Sequence, residues 1–163
     1  MGAGHPECPA RLDAIEDRLL MTGVADALDR REATPATMGE LLLAHGRRHV
    51  AALRGLSAML GEEVKAGGPD HYALDPDTSM NCGTYRAALL SAGAAVNAVD
   101  AVLTGELENA FCATRPPGHH ATRDQAMGFC FFSNVAIAAK VACERHGLKR
   151  VAIIDFDVHH GNG

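Results

Sequence analysis

The short run Arg150-Val151-Ala152-Ile153-Ile154-Asp155 limits the fold more than any other feature, because β-branched residues so closely spaced suit a buried strand better than a helix. Upstream, residues 109–114 form a second short apolar run, and residues 115–132 form a Gly/Pro-rich loop. Ser133-Asn134 then predict the cap of a helix ending at His146-Gly147. The order strand, loop, helix, strand predicts an α/β fold with a parallel sheet, in which ligand sites lie at the C-terminal ends of strands. Both histidine-rich segments follow such ends, so two loops far apart in sequence are expected to converge.

The first half reads as helices. Pro9 suits a first helical turn, and Leu12, Ile15, Leu19 and Leu20 recur at helical spacing up to Gly23. Thr37-Met38-Gly39-Glu40 has the spacing of a capping box, and a further helix is expected from about Arg47 to Leu60. Residues 67–80, with Gly67-Gly68-Pro69-Asp70 and Asp75-Pro76-Asp77, carry turn signals without a period and predict a long surface loop of the kind that often borders a binding site. The Ala-rich stretch from Thr84 to Leu103 predicts a helix packed closely against a sheet, ending near Gly105.

A chain of 163 residues suits one domain with a real core. A formal net charge of -5 without a basic stripe argues against direct nucleic-acid binding. No run is expected to reach the apolar length that crosses a bilayer, and Met1 to Pro6 has no secretory pattern, so a cytoplasmic location is expected. The five cysteines are scattered and form no C-x-x-C pair, which suggests reduced thiols rather than disulfides or a cysteine zinc site.

The chemistry concentrates at the end of the chain. In an extended backbone Asp155, Asp157 and His159 share one face. Crowded carboxylates at a strand end are costly unless they are paired or bind a cation, and imidazole and carboxylate together suit Zn²⁺. The other reading is that the acids cap a neighbouring helix and the histidines lie on the surface. Adjacent His119 and His120 suit paired acid and base roles, since imidazole titrates near neutral pH, although a solvated His-His pair in a loop is the alternative.

Arg115-Pro116-Pro117-Gly118-His119-His120-Ala121, Gly128-Phe129-Cys130-Phe131-Phe132-Ser133-Asn134 and Asp155-Phe156-Asp157-Val158-His159-His160-Gly161-Asn162-Gly163 resemble, in order and spacing, the signature blocks of histone deacetylases and the bacterial acetylpolyamine amidohydrolases. His5 to Arg11 and Leu41 to Leu53 resemble the family's early blocks. The resemblance implies an arginase/deacetylase-like parallel sheet flanked by helices, with residues 1–163 forming the N-terminal part of the catalytic domain. Asn162 after His-His-Gly is similar to the class II and bacterial branch.

The resemblance further implies hydrolysis of an acetylated amine, either acetyl-lysine in proteins or an acetylated polyamine. It implies Asp157 and His159 as Zn²⁺ ligands, and His119 and His120 as the catalytic pair. Asp155 would be the partner of His119 and part of a K⁺ or other monovalent-cation site. Gly128 and Phe129 would line the substrate channel, and Arg11 and Cys130 would sit near the acetate pocket. A carboxylate partner favours an imidazolium at His119, whereas Asn162, as partner of His120, would supply a dipole but no charge and leave His120 the better general base.

The family's further Asp ligand and carbonyl-polarising Tyr are expected beyond Gly163, so the 163-residue chain is read as a fragment and expected to be inactive. Acids such as Asp70, Asp75 and Asp77 offer a cationic substrate a contact, but at turn positions Asp is often structural. The rival from another class is a non-catalytic interaction module that retains the deacetylase fold. A different metal hydrolase of the arginase-like fold matches the carboxylate pattern less well. The sequence leaves the oligomeric state open.

Overall fold

The computed structural model describes residues 4–163; Met1, Gly2 and Ala3, part of the stretch on which the absence of a secretory pattern was read, lie outside the described residues. Helix α1 spans Ala10–Met21 and is followed by a short 3₁₀ turn at Val24–Ala27. Helices α2, Met38–Ala44, and α3, Arg47–Lys65, come next. Strands β1, His71–Ala73, and β2, Ser79–Asn81, precede α4, Thr84–Leu103, and α5, Asn134–Glu144.

The predicted helix boundaries have visible causes. At α2 the Glu40 N–H donates to Thr37 Oγ1 at 3.3 Å, and the Thr37 N–H donates to Glu40 Oε2 at 2.7 Å, which completes the capping box. Helix α5 ends where Gly147 turns left-handed, with the Leu148 N–H reaching back to Ala142 O at 3.2 Å. Its start departs from expectation: the Ser133 side chain makes no cap hydrogen bond, while the Ser133 N–H donates to His45 Nε2 at 2.8 Å.

Leu41 of α2, Val50, Leu53 and Leu60 of α3, and Ala88, Ala92 and Val96 of α4 surround Phe131, Phe132, Ile137 and Val141. The close packing expected of α4 against a sheet is instead mainly against α5, since no larger sheet forms among the described residues. Its small residues also let the segment before α2 come close, where the Ala36 N–H donates to Leu89 O at 2.8 Å. Contrary to the sequence expectation, α4 is by length and composition long and apolar enough to cross a membrane. Its face bearing Ala88, Ala92, Gly93 and Val96 is buried in the protein core, which accounts for that composition.

Two further expectations change. The stretch 67–80 is not wholly a loop, because β1 and β2 pair antiparallel with Tyr72 opposite Met80, and buried Met80 ties the hairpin to the core. The parallel sheet is not formed among the described residues: residues 109–114 and 150–155 make no strand ladder, and this hairpin is their only sheet. A strand exists only with a hydrogen-bonded neighbour, and neither run has one, so Ile154 and Phe156 stand 86% and 95% exposed.

Candidate active site

The two histidine-rich segments meet although neither belongs to a helix or strand. The Gly163 N–H donates to His119 O at 2.9 Å and ties the chain end to the loop after Gly118. His119 Nδ1 lies 2.9 Å from Asp155 Oδ2, and His120 Nδ1 lies 2.8 Å from Asn162 Oδ1. Both partners present acceptor oxygens, so each imidazole carries its proton on Nδ1 and leaves Nε2 facing away from its partner. The two rings are 4.0 Å apart between centroids.

The approach of Asp155 depends on Gly161, since a Cβ there would lie 2.2 Å from Asp155 Oδ2. Asp155 Oδ1 also accepts the Asp157 N–H at 3.1 Å. The His119 hydrogen bond first, and the backbone donor second, hold the Asp155 carboxyl below its ordinary range. Asp157 is likewise held low by the backbone N–H and ring of His159.

His159 Nδ1 sits 3.1 Å from Asp157 Oδ1. Two donors on one tetrahedral zinc, with bonds of about 2.0 to 2.1 Å, stand about 3.3 Å apart, so this pair fits the edge of such a site in spacing and donor type. It is a pair only: among the described residues no three His, Cys, Asp or Glu side chains gather as a metal-binding group. Asp157 and His159 are 49% and 73% exposed. Beside them a cleft of about 510 Å³ is lined by His119, Ile153, Asp155, Asp157, His159 and Gly161.

Cys130 is fully buried under the loop, where its Sγ accepts the N–H groups of His119 and His120, each at 3.4 Å. Burial pushes the thiol pKa up, which keeps it protonated, and the S–H donates to Gly128 O at 3.3 Å. Gly128 and Phe129 follow Met127 in a tight turn against the His120 ring. Arg11 pairs with Glu7, a carboxylate 4% exposed that also accepts from Arg115 Nε at 2.6 Å. Glu7 was not singled out from the sequence, because only the fold brings it to Arg115, 108 positions away. Thr78, whose Oγ1 accepts the Phe129 N–H at 3.1 Å from 51 positions away, was missed in the same way.

The family described as "Histone deacetylase domain" matches residues 5–163. The chain belongs to the histone deacetylase family.

Among the relatives of this histone deacetylase family member, the "Histone deacetylase-like amidohydrolase" of Pseudomonas aeruginosa is 45% identical over 99% of this chain and 40% of its own length. The human "Polyamine deacetylase HDAC10" is 43% identical over 97% of this chain and 24% of its own length. The chain therefore spans less than half the length of these relatives. The solved structure of the HDA15 HD domain superposes with a TM-score of 0.86 at 39% identity, covering 100% of this chain and 44% of that one. This likeness gives the family member the deacetylase domain fold.

Proposed function

We propose that the protein carrying this chain is a zinc-dependent hydrolase that removes acetyl groups from acetylated amines. The observation that carries the reading is the pair of imidazoles, both anchored through Nδ1 and both free at Nε2, beside the donor pair Asp157 and His159. Relatives described as an amidohydrolase and a polyamine deacetylase support the reaction class.

Asp157 and His159 would hold Zn²⁺, which when bound supplies Lewis acidity to the amide carbonyl and to the attacking water. His120, whose partner Asn162 brings no charge, takes the proton of that water at Nε2. His119, tied to an ionised Asp155, holds a proton and stabilises the negative charge that develops on the carbonyl oxygen. Gly128 and Phe129 form the wall along which the acyl-amine chain enters. Asp155 is also the proposed anchor of a monovalent cation, and Arg11 with Cys130 of the acetate end.

The acidic residues of the hairpin contribute unequally to substrate choice. Asp75 is committed to its own turn, accepting the N–H groups of Asp77 and Thr78 at 2.8 and 2.6 Å, and Asp70 pairs with His71 at 2.5 Å. Asp77 enters these turns only through its backbone, so its carboxylate remains a contact for an acetylated polyamine, the alternative to acetyl-lysine as the leading substrate. With two metal donors instead of the usual three, the 163 residues alone are expected not to turn over.

Acetate release tests the proposal: the full-length protein and the 163-residue polypeptide are each given an acetyl-lysine peptide or an N-acetylated polyamine, with zinc. The expected result is release by the full-length protein only, faster from the peptide. No release from either substrate by the full-length protein would refute the function, and release by the 163 residues would refute the need for a third donor.

A further inference from the structure

Gly128 and Phe129 have φ of 56° and 67°, and Phe129 is the only non-glycine with positive φ among the described residues. Met127 and Cys130 flank them with reciprocal hydrogen bonds, Met127 N–H to Cys130 O at 3.1 Å and Cys130 N–H to Met127 O at 3.0 Å. This is a two-residue primed turn, whose second position normally takes Gly or Asn because a side chain there is strained. The first position must be glycine, since a Cβ on Gly128 would meet the His120 ring at 2.4 Å. The turn thus rests on one of the paired histidines, and a bulky aromatic occupies its strained half.

Something outside the turn must hold Phe129 in that conformation. Its N–H donates to Thr78 Oγ1 at 3.1 Å, and Thr78 is fully buried. Thr78 is itself fixed, because its N–H donates to Asp75 Oδ1 at 2.6 Å and its carbonyl accepts the Leu74 N–H at 2.8 Å. The Phe129 ring is held separately, edge-on to His5 with centroids 4.6 Å apart, and His5 Nε2 lies 3.1 Å from Asp77 O of the same hairpin. The Asp75-Pro76-Asp77 turn, idle in substrate recognition at Asp75, is engaged in fixing the channel wall from behind.

The geometry points to Thr78 as a positioning residue of the enzyme: its buried hydroxyl sets the strained turn that places Phe129 in the substrate channel and Gly128 against His120. The inference rests on the reading of Phe129 as channel wall. A hydroxyl that merely satisfied a buried N–H would affect stability alone. One that positions the wall also affects how tightly the acyl chain is gripped.

The test uses Thr78→Val, Thr78→Ser and Asp75→Ala in the full-length protein, with two readouts. Amide hydrogen exchange at Phe129 is expected to speed up about tenfold in Thr78→Val, to stay within about twofold in Thr78→Ser, and to fall between the two in Asp75→Ala, which unpins Thr78 but keeps the hydroxyl. KM for an acetyl-lysine peptide is expected to rise about fivefold to tenfold in Thr78→Val with kcat changed less than about threefold, and Thr78→Ser is expected to restore it. Exchange at Phe129 unchanged in both Thr78→Val and Asp75→Ala would overturn the inference, as would exchange that rises with KM unmoved. If the wild type hydrolyses no acetylated amine, the proposed function falls while the exchange readout still decides whether Thr78 holds the turn. If Thr78→Val does not fold, Asp75→Ala carries both readouts.

Discussion

His120 faces Asn162 through a neutral hydrogen bond of 2.8 Å, while its neighbour His119 faces the carboxylate of Asp155 at 2.9 Å. Two imidazoles with rings 4.0 Å apart are thus given partners of different charge. The proposed function assigns the pair different roles on this ground, His119 as electrostatic stabiliser and His120 as base.

Replacing Asn162 with Asp removes that difference. A carboxylate at this position favours the protonated form of His120, so the base becomes available only at higher pH. If the proposed function holds, the acidic limb of the kcat/KM profile of the full-length protein moves up by about one pH unit. A limb that stays in place would show that His120 is not the group that must lose its proton.

Gly161 is the position at which the Asp155 contact can be broken without touching either residue. A Cβ there would lie 2.2 Å from Asp155 Oδ2 and 3.3 Å from His119 Nδ1, so Gly161→Ala must push the carboxylate away. The expected loss in kcat/KM is about tenfold or more, mainly in kcat, because the charge on the carbonyl oxygen loses its stabiliser. Wild-type kinetics in Gly161→Ala would show that the contact is dispensable.

His45, buried between α2 and the loop that carries Phe129 to Ser133, gives the fold a predictable pH dependence. Its pKa is lowered, first by burial and then by the neighbouring His49 ring, and its Nε2 accepts the Ser133 N–H at 2.8 Å. Asp124 and the carbonyls of Arg123 and Thr122 oppose the shift without reversing it. With the folded value below the ordinary 6.5, the unfolded chain binds the proton first, so the stabilisation is full above about pH 6.5 and is lost as the pH falls through the folded value. Urea unfolding midpoints between pH 7.5 and 5.5 should fall for the wild type and less steeply for His45→Gln. Equal slopes would remove His45 as the cause.

The helices were legible in the sequence because their causes are local. The Thr37–Glu40 box, the apolar spacing of α3 and the glycines after α4 and α5 each act within a few residues. The convergence of the loops around His119 and Asp155 was expected at the strand ends of a parallel sheet, and it occurs without such a sheet among the described residues. Other features depend on partners remote in sequence. The apolar run at 150–155 reads as a strand, yet it has no ladder neighbour among the described residues. Strands of three residues around Asp75-Pro76-Asp77 are too short to show a period. The Glu7 clamp and the Thr78 contact join segments 108 and 51 positions apart, and no local pattern announces them.

Metal dependence is the most direct test of the central claim, that the paired histidines work beside a zinc held by Asp157 and His159. Acetate release from an acetyl-lysine peptide is measured on the full-length protein as isolated, after chelation, and after zinc is returned, alongside Asp157→Ala. The account predicts activity lost on chelation, regained with zinc, and absent from Asp157→Ala together with its bound zinc. Turnover that survives chelation, or an Asp157→Ala protein that keeps both zinc and activity, would contradict it.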